Sequence, residues 1–140
     1  MAPSCYETFE HGADIGIRGF GVSIEESFVC IAKAMFGLML EDVCTESRSE
    51  KIYIQASGFE PESLLVAWLN ELLTQADLHS IIFREFDVNI QDLILSGYAW
   101  GEYFIPSEGQ GIEVKGATLT QARVKKRQVA AWLNVYIVDV

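Results

Sequence analysis

Two periods organise the hydrophobic positions of this chain. Over residues 13–18, Ile15 and Ile17 share one side while Asp14, Gly16 and Arg18 share the other, the alternation of a short strand. Gly19 and Gly21 close it. Ile24, Phe28, Ile31, Met35 and Leu38 then recur at steps of four, three, four and three, which predicts a helix from about Ile24 to Leu40. Ser23, three positions before Glu26, supplies the S-x-x-E spacing of a capping box. Residues 41–50 are polar, carry both charges and read as a loop. Residues 51–56 alternate again, with Ile52, Ile54 and Ala56 on one side. Pro61 suits a first helical turn. Behind it, Leu64, Leu65, Trp68, Leu69, Leu72 and Leu73 predict a second helix to about Asp77, with Glu62, Asn70, Glu71 and Gln75 opposite.

The remainder has strand character. Ile82, Phe86, Val88 and Ile90 alternate with Phe83, Glu85, Asp87 and Asn89. Residues 89–92 read as a turn and 93–102 as the returning strand. The run P-S-E-G-Q-G at 106–111 is the richest turn cluster. A strand over 112–124, a basic tip at Lys125, Lys126 and Arg127, and a last strand over 128–140 follow. Strand, helix, strand, helix and then a meander predict an α+β sandwich. One domain over residues 1–140 has two helices packed on one face of a mixed, largely antiparallel sheet.

Composition narrows the function classes. The chain has 140 residues, half of them hydrophobic, which is enough for one core and too many for a disordered segment. Twenty acidic residues against ten basic ones give a net charge of −10. That excess argues against a domain that grips nucleic acid by itself, because phosphate binding needs a basic surface. It leaves open the binding of a basic protein that does so. No apolar run reaches the length of a membrane span, and no secretion signal stands at the N-terminus. Cys5, Cys30 and Cys44 contain no C-x-x-C, so neither a disulfide framework nor a zinc ribbon is expected. The expectation is a reduced, cytoplasmic protein.

Candidate chemistry sits at both ends. In the last strand, Asp139 continues a side that otherwise carries Leu133, Val135 and Ile137. A charge taken out of water is costly unless it is paired or ligated. Either the strand end is solvated, or Asp139 has a fixed partner. With the carboxylate of Val140 beside it, it would supply part of a hard-cation site. Near the other end, His11 and Asp14 in E-H-G-A-D suit a metal or acid–base site, or simply hydrogen-bond a turn. G-I-R-G-F-G at 16–21 runs in the reverse order of a dinucleotide fingerprint and lacks a following Lys-Ser/Thr, so a tight turn is the better reading. Lys115, Arg123, Lys125, Lys126 and Arg127 hold half of the ten basic residues. They form a solvated hairpin tip or a patch for RNA or an acidic partner. Trp68 reads as core; Trp100 and Trp132 as core or sheet surface.

The string H-G-A-D-I-G-I at 11–17 resembles the H-T-A-D-[IV] opening of the archease family. The likeness continues through A-M-F-G-L-M at 34–39, through E-S-L-L at 62–65 with W-L-N-E-L-L at 68–73, and through Gly101-Glu102. It runs on through E-V-K-G-A-T at 113–118 and ends at Asp139-Val140. Three departures stand out: Gly12 for the usual Thr, Gly116 and Leu119 for the Ala and Tyr of K-A-x-T-Y, and Glu108 where the family often has His.

The resemblance implies an accessory protein rather than a freestanding enzyme. It would activate the GTP- and metal-dependent RNA-splicing ligase of tRNA splicing by promoting ligase guanylylation and repeated turnover. It also implies a divalent cation, calcium being the usual assignment, held by Asp14, Asp139 and the terminal Val140. Three oxygen donors suit such a hard ion. His11, Glu71 and Lys115 are candidate partner contacts. Two other classes stay open: a small metal-dependent hydrolase with His11 as base, and a chaperone-like module that binds RNA-modifying enzymes.

Overall fold

The computed structural model describes residues 5–11, 14–40, 45–104, 116–117, 123–127 and 131–139. Side chains are described over 5–10, 15–39 and 49–103 and at 124. The elements in order are β1 (Tyr6–His11), β2 (Asp14–Gly21), α1 (Ile24–Leu40), β3 (Thr45–Ser57), α2 (Pro61–His79), β4 (Ile81–Gln91), β5 (Ile94–Phe104), β6 (Gly116–Ala117), β7 (Arg123–Arg127) and β8 (Ala131–Asp139).

Both helices form where the apolar periodicity places them. At the start of α1, Ser23 Oγ accepts from Glu26 N at 3.1 Å, and Glu26 Oε2 accepts from Val22 N at 3.4 Å. The box thus closes one residue further back than the ideal reciprocal pair. At the start of α2, Glu60 N donates to Ser63 Oγ at 3.1 Å and Pro61 fills the first turn. Ser80 ends the helix in the left-handed region, φ 55°.

The α+β class is as expected, but the strands divide over two sheets. One runs β1-β2-β8-β6, with β7 also paired to β8; the other runs β3-β5-β4, and every pairing among the described residues is antiparallel. β6 and β7 both lie along the edge of β8 that faces away from β2. α1 packs against β2, β4 and β8, and α2 against β3, β4, β6 and β7, so each helix touches both sheets. One core cluster results. Its centre is aromatic: Trp68, Phe36, Phe83 and Phe86 have ring centroids 5.5–6.3 Å apart. Trp68 is fully buried, and its Nε1 donates to Phe28 O at 3.0 Å, tying α2 to α1.

Several local expectations are corrected. The glycines at 16–21 make no turn; they belong to β2. A Cβ on Gly16 would collide with the Phe9 ring, and one on Gly19 would lie 2.6 Å from Ile31 N in α1. Close approach, not turn geometry, requires them. β3 begins at Thr45, inside the expected loop, because Thr45 and Ser49 find partners on β5 at Phe104 and Glu102. The β4–β5 turn is Asp92-Leu93, φ 51° and 61°, the two-residue form with both centres left-handed. Lys125, Lys126 and Arg127 are rungs of β7, opposite Leu133, Trp132 and Ala131, rather than a tip. Finally, Cys5 and Cys30 form a disulfide, with Cα atoms 5.5 Å apart, where a fully reduced chain was expected. The absence of C-x-x-C says nothing about a pair brought together by the edge strand and α1.

Candidate functional site

The site is built from strand ends. β1 and β2 form a hairpin in which His11 is the cross-strand partner of Asp14. β2 and β8 pair from Gly21↔Trp132 to Ile15↔Val138, which leaves Asp14 and Asp139 as the next positions on the two strands. On the far side of β8, Asp139 pairs with Gly116 of β6. His11, Asp14, Asp139 and Gly116 therefore form one row across four neighbouring strands. Cross-strand neighbours have Cα atoms roughly 4.5–5.5 Å apart and share a face of the sheet.

The face is set by the core. Gly19 lies against α1, and Ile17 is fully buried on the same side. By alternation, Asp14 shares the opposite face with Gly16 and Arg18. There the Phe9 ring crosses Gly16, the Arg18 guanidinium stacks 4.1 Å over that ring, and Arg18 Nη1 pairs with Glu7 Oε1 at 2.9 Å. On β8 the positions opposite Phe20, Arg18 and Gly16 are Leu133, Val135 and Ile137, so the row of His11, Asp14 and Asp139 positions ends a mixed face rather than a wholly polar one.

The other expected residues divide. Glu71 is half-buried on α2 and accepts from Gln75 Nε2 at 2.9 Å. At the start of that helix Glu62 Oε2 accepts from Val124 N of β7 at 3.0 Å, so α2 is tied to the strand beside β8. Lys115 precedes Gly116 but, like Glu108 and Val140, lies outside the described residues. His11, Asp14 and Asp139 are described by their backbone alone. No cluster of three or more His, Cys, Asp or Glu side chains suited to a metal occurs among the described side chains. The carboxylates of Asp14 and Asp139 in this row fit a hard divalent cation by their chemistry, since their donors are oxygens. Gly116, as the backbone partner of Asp139, escaped the sequence reading; nothing short of the strand register points to it.

Two antiparallel sheets bridged by two helices, with acidic strand ends gathered at one edge, define an α+β protein with a candidate cation site. Comparison with known proteins agrees with this fold over nearly the whole length. The model of the Archease protein family matches residues 6–140. Protein archease of Pyrococcus furiosus is 35% identical, covering 96% of this chain and 98% of that protein. Protein archease of Saccharolobus islandicus is 36% identical over the same shares. Among solved structures, protein 1598 of Methanobacterium thermoautotrophicum superposes with a TM-score of 0.73 at 28% identity, covering 99% of this chain and all of that one. A Thermotoga maritima archease, described as a possible chaperone, shares the fold at a TM-score of 0.60 and 16% identity, over 96% of each chain. The chain belongs to the archease family.

Proposed function

We propose that this protein is an accessory activator of an RNA-splicing ligase, acting on the ligase rather than on RNA. It would promote guanylylation of the ligase and so its repeated turnover. The observation that carries this reading is the strand register that makes Asp14 and Asp139 neighbours, at the two positions where the family resemblance implies a calcium site. The cation would be held by Asp14 and Asp139, with Val140 as third contributor, and would neutralise two adjacent carboxylates that otherwise repel. His11, beside Asp14, and Glu71 and Lys115 would meet the ligase. A net charge of −10 suits contact with a basic, RNA-binding surface.

Activation requires that the protein bind the nucleotide-reactive state of the ligase more tightly than the other state, since equal affinity shifts nothing. The test is ligation by the cognate ligase under single-turnover and multiple-turnover conditions. The reading predicts that the wild type raises turnover and that folded Asp14→Ala and Asp139→Ala variants fail to do so. Undiminished stimulation by both variants contradicts the cation mechanism. Binding to RNA-processing enzymes with no effect on ligation would favour the chaperone description given to the Thermotoga relative.

A further inference from the structure

The outer face of the sheet β3-β5-β4 carries a grid that the proposed activity does not use. Tyr53 lies directly across from Tyr98, and Tyr98 from Asp87; one rung on, Lys51 faces Trp100 and Trp100 faces Glu85. The next rung is polar, with Gln55, Ser96 and Asn89. Tyr53 is 53% exposed and Tyr98 39%. Their ring centroids are 5.5 Å apart, and those of Tyr98 and Trp100 6.2 Å. The Lys51 ammonium sits 4.1 Å from the Tyr98 centroid and 5.4 Å from that of Trp100. The chain thus already lays one of its own cations on these rings, while Asp87 stands exposed along the next strand and the exposed Glu85 carboxylate lies 3.9 Å from Lys33 Nζ.

We infer that this face is a docking surface for an arginine-bearing segment of a partner protein, its guanidinium stacking on Tyr53 and Tyr98 and pairing with Asp87, the cross-strand neighbour of Tyr98. A guanidinium is planar, offers donors in a fixed fork and stacks on aromatic rings, so it satisfies rings and carboxylates together; an ammonium serves as a point charge only. Nucleic acid also stacks on aromatic rings, but here its phosphates would meet Glu85 and Asp87 on a chain of net charge −10. The inference stands independently of the strand-end cation site, which lies on the other sheet.

The test uses the full chain and a short fluorescein-labelled peptide of alternating arginine and glycine, with its lysine analogue, read by fluorescence anisotropy at about 0.15 M salt. Arginine peptide should bind at least about fivefold more tightly than lysine peptide. Tyr53→Ser with Tyr98→Ser leaves the net charge unchanged and should abolish that preference while circular dichroism stays native. Lys51→Ala frees the rings, and the gain in affinity it gives should vanish in the double-tyrosine background. Equal binding of the two peptides, or unchanged binding by the folded tyrosine variant, overturns the inference. So does preferential binding of a single-stranded oligouridine probe, or a dimer of this chain that the tyrosine substitutions dissolve.

Discussion

Gly16 is a residue whose function is to be absent. The Phe9 ring occupies the place a Cβ would take, and the Arg18 guanidinium stacks 4.1 Å from the centre of that ring. Gly16→Ala should lower stability by about 1–3 kcal/mol, as overpacking does, measured by urea unfolding. In a Phe9→Ala background the same substitution should cost less, because the obstructing ring is gone. Trp68 is the converse, a large side chain with a full set of neighbours and a bond from Nε1 to Phe28 O. Trp68→Phe should cost about 1–3 kcal/mol from the lost bond and the space left behind. The sequence marked Trp68 as core, because it sits on the leucine stripe of a helix. It misread Gly16 as part of a turn, because a ring arriving from another strand leaves no local trace.

At the scale of elements, β1 is an edge strand fastened to α1 by the Cys5–Cys30 disulfide, and Cys5 O accepts from Phe20 N at 2.8 Å. The bridge joins residues 25 apart. Closing a loop of that length stabilises by about 3.5 kcal/mol in the chain-entropy model. Unfolded, unreduced protein should therefore show one reactive thiol among its three cysteines. Cys5→Ser should lower stability under oxidising conditions and change little once the wild type is reduced. Two or three free thiols in the purified, unreduced protein would contradict the bridge.

The helices were legible to within a residue or two because their period is local. The sheets were less so. The bulge between Phe83 and Glu85 shifts the alternation of β4, letting Ile81 and Phe83 join Phe86, Val88 and Ile90 against the core. The turn at Asp92-Leu93 places a leucine at φ 61°, which residue preferences do not suggest. The division into two sheets depends on which strands pair, and pairing is a property of the whole chain.

For the whole molecule, topology makes the site. β2 stands near one end of the chain and β8 near the other, yet they are neighbours in one sheet, and their register brings Asp14 alongside Asp139. Each aspartate stands out by itself along the chain, but periodicity alone offers no reason to join them; the family resemblance supplied the link. Two adjacent carboxylates without a counter-ion repel. A bound cation should therefore stabilise the fold by about 2.7 kcal/mol at a hundredfold excess over its dissociation constant. Chelator should lower the melting temperature of the wild type and leave that of Asp14→Asn or Asp139→Asn nearly unmoved.

Calcium titration of chelator-stripped protein by isothermal calorimetry tests the centre of this account most directly. The wild type should take up about one ion per chain, and Asp14→Ala and Asp139→Ala, each still folded, should each weaken uptake by about tenfold or more. Calcium uptake that survives both substitutions unchanged, or no uptake by the wild type, would contradict it.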